Sequence, residues 1–266
     1  MLFDTHVHFE ALDGPGGPAP ILERALAAGV TRLLAVGGNP TLNATALAAA
    51  ARYPEHIACA VGFDRDQAPA DPAGLCRELR ARCRAARAVG ELGLDFHYRP
   101  ETRAAQMELL RAQLALAREL RLPVILHSRA AEAETLAALA EHAAAWRGTP
   151  DRLGVLHCFT GERAFAWRLL DLGLHLSFSG IVTFRNAEEL RTVAREIPAE
   201  RLLIETDSPY LAPVPWRGRR NEPAFLPRIA EVLAATRGLL PEAIAELTRA
   251  NAERLFDAGY PSHETG

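Results

Sequence analysis

Short apolar runs and longer amphipathic stretches take turns along the chain, regularly enough to be read as a succession of elements. The first run, Leu2-Phe3-Asp4-Thr5-His6-Val7-His8, reads as a buried strand ahead of a Gly/Pro-rich loop from Gly14 to Pro20. Further strands are expected at residues 30–36, 57–62, 88–92, 124–127, 153–157, 174–179 and 202–207. Helical periodicity fills the intervals at 19–29, 41–53, 72–84, 101–121, 130–146, 162–172 and 187–196, and helices at 224–236 and 241–256 follow. Asp71-Pro72 has the form of a helix cap with proline in the first turn, and Gly29 closes the first helix. Short apolar strands separated by helices are the pattern of a parallel sheet covered on its faces. Eight such units predict closure into a (β/α)8 TIM barrel, a single domain over residues 1–266, with a doubly wound open sheet as the rival.

Composition changes this picture at one point only. With 49% hydrophobic and 24% charged residues, the chain can bury a large core. No apolar run reaches the roughly 20 residues that span a bilayer, and the first residues lack the basic region and apolar core of a signal peptide. A cytoplasmic protein with no membrane association and no obligate protein partner is expected. The net charge of -3 gives no general basic footprint for nucleic acid, so any phosphate recognition must be local. The informative point is lysine, because all 30 basic residues are arginine. Schiff-base enzymes, P-loop NTPases and barrel hydrolases with a modified lysine between two metals are thereby excluded; a carboxylate would have to bridge. Cys59, Cys76, Cys83 and Cys158 form no C-x-x-C pair and read as buried free thiols, with Cys76 and Cys83 near one face of their helix.

Candidate chemistry collects where strands give way to loops. His6 and His8, two apart on an extended strand, project to the same side and can reach one point. Glu91, His127, His157 and Asp207 occupy the corresponding ends of other strands, the rim on which barrel active sites are assembled. Four imidazoles and two carboxylates suffice for two divalent ions, with one carboxylate shared, and such a pair can activate water for phosphoester displacement. The mixed donors leave Mg2+, Mn2+ and Zn2+ open. Glu205, two before Asp207, should point into the barrel and support a histidine or an arginine, and Asp95 can serve likewise. Arg129, just past His127, is placed to grip a phosphate; Arg217, Arg219 and Arg220 read equally well as phosphate contacts or as a solvated loop. His56, His97, His142, His175 and His263 read as surface or structural residues. Ser128, Ser179 and Ser208 lie near the rim without a G-x-S-x-G elbow, which disfavours a serine nucleophile.

Together these motifs resemble the TatD family of metal-dependent deoxyribonucleases. The resemblance runs through Asp4-Thr5-His6-Val7-His8, Gly90-Glu91-Leu92-Gly93-Leu94-Asp95, Leu122-Pro123-Val124-Ile125-Leu126-His127-Ser128-Arg129 and Leu156-His157-Cys158-Phe159-Thr160-Gly161. It continues in Ser179-Gly180-Ile181-Val182-Thr183-Phe184, Glu205-Thr206-Asp207-Ser208-Pro209-Tyr210-Leu211-Ala212-Pro213, Arg217-Gly218 and Asn221-Glu222-Pro223. It implies a TIM barrel and 3′-to-5′ exonuclease action on single-stranded DNA, sometimes RNA. It also implies one metal on His6, His8, Glu91 and Asp207, and another on Glu91, His127 and His157, with Asp207 and Glu91 carrying the catalysis. Phe96-His97 departs from the aromatic pair common in the family. D-aminoacyl-tRNA deacylation at the same site is a second reading, and an inactive nucleic-acid-binding or adaptor barrel is a third, which the intact ligand set opposes.

Overall fold

A computed structural model describes residues 1–9, 18–68 and 71–256. Most of the predicted loop from Gly14 to Pro20, and His263, lie outside the described residues. Among the described residues eight strands pair in parallel and in chain order. They are β1 (Leu2–Val7), β2 (Val30–Gly38), β3 (Ile57–Phe63), β4 (Ala88–Asp95), β5 (Val124–Arg129), β6 (Gly154–Leu156), β7 (His175–Phe178) and β8 (Leu202–Ile204). Between them run α1 (Ala19–Ala27), α2 (Pro40–Arg52), α3 (Pro72–Arg82), α4 (Arg103–Leu120), α5 (Glu132–Ala145), α6 (Arg163–Asp171) and α7 (Glu188–Glu196); α8 (Leu226–Arg237) and α9 (Pro241–Phe256) come last.

The caps explain several of these boundaries. Asp71 accepts hydrogen bonds from Ala73 N and Gly74 N ahead of Pro72, as its sequence predicts, and Asn39 accepts from Leu42 N ahead of Pro40. At the other end of α3, Cys83 is the terminating residue rather than a helical one.

The open-sheet rival fails because the first strand meets the last. Thr5 Oγ1 donates to Ile204 O (3.0 Å), Asp207 N to His6 O (3.0 Å) and His8 N to Ser208 O (2.9 Å). These bonds set His6 and His8 beside Asp207. Inside the barrel Phe3, Leu34, Val36, Ala60, Ile125, Val155 and Leu203 form one apolar cluster, which Leu255 and Phe256 of α9 join at the floor, the Phe3 and Phe256 rings 6.3 Å apart. The opposite faces of the strands carry residues such as Leu33, Val61, Leu126 and Leu176, buried against the helices. Fully burying a leucine-sized side chain contributes about 1.5–3 kcal/mol, so these two layers dominate the stability.

Strict alternation would carry Phe3 and Ala88 inward and leave His6, His8 and Glu91 facing the helices. Register irregularities between Asp4 and Val7 and between Val89 and Leu92 change the phase of β1 and β4 below the rim. Phe3 and Ala88 therefore line the interior while Val7, Leu92 and Leu94 join the outer core. Gly93 (φ 143°) completes the adjustment, because a Cβ there would stand 2.0 Å from His127 O. Strands β6 and β8 stop at Leu156 and Ile204, so His157 and Asp207 stand just beyond strands that were expected to contain them. No helix among the described residues is long and apolar enough to cross a membrane.

Candidate active site

Each of three rim histidines has one nitrogen fixed by an outer partner, which decides what the other can do. His8 Nδ1 donates to Val36 O (3.0 Å), His157 Nδ1 to Glu205 Oε1 (3.3 Å) and His127 Nε2 to Asp95 Oδ2 (3.3 Å). The remaining nitrogens turn inward. His6 Nε2 and His8 Nε2 lie 3.0 Å apart, and His157 Nε2, fully buried, has no hydrogen-bond partner.

Glu91 stands between two groups of these nitrogens. Its Oε2 lies 3.7 Å from His6 Nε2 and 3.6 Å from His8 Nε2, while its Oε1 lies 3.5 Å from His157 Nε2 and 3.6 Å from His127 Nδ1. Asp207 Oδ1 completes the first group, 3.9 Å from His6 Nε2 and 3.8 Å from His8 Nε2. Donor atoms of His6, His8 and Asp207 fall within 4.8 Å of one another, as do those of Glu91, His127 and His157. A third grouping, His6, His157 and Glu205, overlaps both; Glu205 Oε1 is engaged by His157 Nδ1 and by Cys158 N (2.7 Å), while its buried Oε2 has no hydrogen-bond partner.

The charges at this rim are held in check by protons. Burial drives the His6 imidazole down to about 4, with His157 adding to the effect, and burial also lowers His8. Burial opposes ionisation of Glu91, but the facing imidazoles, His157 foremost, hold it well below the usual carboxylate range. The same pairing raises His157 well above its ordinary value: burial opposes its proton, and the Glu91 and Glu205 carboxylates outweigh that. Asp207 is pushed well above the carboxylate range by burial and by Glu205, Glu91 and Asp4, against the opposing pull of His157. Inward-facing imidazole nitrogens, one of them buried without a partner, and the Asp207 carboxyl holding its proton close to the ionised Glu91 make a donor set whose charge divalent cations would balance.

Several supporting residues have no strong mark in the sequence. Arg65, just past β3, places Nη1 3.4 Å from Glu91 Oε1. Asp4 accepts from Thr206 Oγ1 (2.5 Å) and Thr206 N (2.9 Å), and Ser208 Oγ donates to Thr206 Oγ1 (2.6 Å), tying β1 to the loop that carries Asp207. Burial raises the Asp4 carboxyl to about 7 against those bonds. Asp207 itself takes φ 56°, a left-handed turn that a short polar side chain tolerates. Gln106 brackets Asp95, its Oε1 accepting from Asp95 N (2.8 Å) and its Nε2 donating to Asp95 O (3.0 Å). Asn221 Nδ2 donates to Thr206 O (2.8 Å) and Tyr210 O (2.6 Å). Buried amides on ordinary helices and loops look like any polar residue in a sequence; Arg65 could have been found by asking what ends β3.

Other predicted positions fall less centrally. Arg129 is exposed at the rim, its guanidinium 4.6 Å above the Tyr98 ring. Arg217 lies over Phe184 (4.1 Å), while Arg219 and Arg220 are exposed. Ser128 bonds Thr135 Oγ1 (2.9 Å), Ser179 bonds Cys158 Sγ (3.2 Å) and Ser208 bonds Thr206. All four cysteines are free, but only Cys59 and Cys83 are buried; Cys76 and Cys158 are half-buried because they sit at a helix face and at the rim.

Known proteins resemble this chain throughout. A family profile described as TatD related DNase matches residues 3–257. The uncharacterized metal-dependent hydrolase YcfH of Escherichia coli strain K12 is 53% identical over 169 residues, 64% of this chain and 62% of that protein, so the shared stretch spans under two thirds of that relative. The uncharacterized metal-dependent hydrolase YabD of Bacillus subtilis is 38% identical over 96% of this chain and 99% of its own. The 3'-5' ssDNA/RNA exonuclease TatD of Salmonella typhimurium is 36% identical over 97% of this chain and 100% of its own. Among solved structures, the TatD homolog YJJV of Escherichia coli matches with a TM-score of 0.87 at 31% identity, covering 96% of this chain and 98% of that one.

Proposed function

This chain belongs to the TatD family of metal-dependent hydrolases, and on that footing we propose that it is a two-metal 3′-to-5′ exonuclease of single-stranded DNA, acting also on RNA. The observation that carries the two-metal reading is Glu91, whose oxygens face two separate groups of nitrogens at 3.5–3.7 Å. His6, His8, Glu91 and Asp207 would hold one ion and Glu91, His127 and His157 the other, drawn from Mg2+, Mn2+ or Zn2+. Bound there, the ions supply Lewis-acid polarisation of a phosphoryl oxygen and lower the pKa of the attacking water.

The protein's own groups do the rest. Asp207, its Oδ1 3.8 Å from His8 Nε2 and 3.9 Å from His6 Nε2, would accept the proton of the attacking water once the bound cations have displaced its own. Glu205 and Asp95 keep His157 and His127 in the tautomers that aim a lone pair inward. Arg129 lines the adjoining cavity and presents guanidinium donors to phosphate oxygens. The Salmonella relative carries the name of a 3'-5' ssDNA/RNA exonuclease, which supports this substrate class.

The test sets end-labelled single-stranded DNA against D-aminoacyl-tRNA, with divalent cation and with chelator. Stepwise release of mononucleotides from the 3′ end, lost with chelator, is expected. Deacylation without DNA cleavage would move the assignment to the tRNA substrate, and turnover of neither would remove both.

A further inference from the structure

Two cavities open off the rim and share a waist formed by Arg65, His127, His157, Asp207 and Tyr210. The smaller, about 320 Å³, continues past Glu91 to Asn39, Asp64 and Asp66. The larger, about 590 Å³, runs toward Tyr98, Arg129, Ile181 and Leu211. Their charges differ. Beyond the waist, and among the described residues, the smaller cavity adds Asp64 and Asp66 besides the metal-holding Glu91, and no arginine, while the larger adds Arg129 and no carboxylate. The larger also carries apolar surface and the Tyr98 ring, 62% exposed, with Arg129 stacked on it.

A nucleic-acid strand has the matching asymmetry at its 3′ end. On one side of the last phosphodiester stands a nucleoside bearing hydroxyl groups; on the other, every nucleotide carries a phosphate. From this match we propose that the acidic cavity receives the terminal nucleoside with its free 3′-hydroxyl and the arginine-bearing cavity receives the upstream strand, so that the enzyme selects 3′-hydroxyl over 3′-phosphate ends. The inference rests on the exonuclease reading and assigns its substrate end. A hydroxyl donates to a carboxylate, whereas a terminal phosphate has the same sign as Asp64 and Asp66 and is repelled. Asp64 is held in place, since its Oδ1 accepts from Asp66 N (2.9 Å) at the turn after β3. Arg65 lies between Glu91 (3.4 Å) and Asp66 (3.7 Å), which spends its charge within the acidic wall. On the upstream side a base can stack on Tyr98 while its phosphate meets Arg129.

The test compares two 5′-labelled hexadeoxynucleotides of one sequence, one ending in a 3′-hydroxyl and one in a 3′-phosphate, by kcat/KM on the full chain with Mn2+. Bis(p-nitrophenyl) phosphate, a phosphodiester with no strand end, runs alongside. The hydroxyl end should be preferred by about tenfold or more. The ratio should fall at least about threefold in the Asp64→Asn/Asp66→Asn double variant, in which amides remove the charge yet keep the acceptor that holds the turn. Should the double variant not fold, Asp66→Asn alone, at an exposed carboxylate, carries the comparison. Equal rates on the two ends, or a ratio that neither variant moves, would overturn the inference and leave the exonuclease reading standing. Loss of all three substrates in the wild-type enzyme would overturn that reading, and the inference with it.

Discussion

His157 carries the clearest consequence at the scale of single residues. In the metal-free protein it keeps a proton because the Glu91 and Glu205 carboxylates outweigh its burial. A cation at Nε2 needs the lone pair that this proton occupies. Because the metal-free pKa lies above the ordinary 6.5, the proton is still bound near neutrality and must leave on loading. Metal affinity at the site of Glu91, His127 and His157 should therefore rise with pH through the window above 6.5, with release of about one proton from His157 on loading. Titration calorimetry in buffers of different ionisation enthalpy measures that number, and loading without proton release would contradict the state assigned to His157. The six rim residues were legible at this scale because strand ends and period-two spacing point to them. Arg65, Asp4 and Thr206 were not: their roles depend on which neighbours the closed barrel brings to them, and nothing local in the sequence encodes that.

At the scale of elements, the site depends on two strands changing phase below it. Eight alternating units predict the barrel, but the irregularities in β1 and β4 are not written as glycine or proline breaks in the apolar pattern of β1, and Gly90 and Gly93 alone do not announce one in β4. For the same reason β4 was expected to end at residue 92, whereas it runs to Asp95, the partner of His127. Its end is held from outside by Gln106 of α4. Gln106→Leu keeps the buried volume but leaves the Asp95 N–H and C=O without this partner, so unfolding free energy should drop by about 2 kcal/mol. It should also lower kcat/KM, because Asp95 no longer fixes the His127 tautomer. Urea unfolding and steady-state kinetics read the two effects; a stable variant with unchanged kcat/KM would remove Gln106 from the positioning of the site. Gln113 makes the corresponding pair of bonds, both 2.8 Å, to Phe63 at the end of β3, so the device recurs on α4.

For the molecule as a whole, the balance of buried histidines sets the acid limit of stability. His142 and His175, away from the rim, are each lowered to about 4, by burial first and then by Arg118 and Arg201 respectively. The folded pKa lies below the ordinary 6.5, so above that pH both are neutral in either state and cost nothing. As pH falls from 6.5 toward 4 the unfolded chain takes up protons that the folded chain refuses, and stability is lost, by roughly 3 kcal/mol per histidine at most. Thermal melts from about pH 7 to about pH 4.5 should show a smaller fall in Tm for His142→Leu than for the wild type; parallel falls would show that His142 does not carry the linkage.

All three scales meet in Glu91, set at the rim by the shifted strand and shared by two groups of nitrogens. Metal analysis of the protein loaded with Mn2+ and freed of excess, compared between the wild type and Glu91→Ala, tests this most directly. Two ions per chain in the wild type and fewer in the variant are expected. Two ions per chain retained in Glu91→Ala would contradict the shared carboxylate, and with it the two-metal centre proposed here.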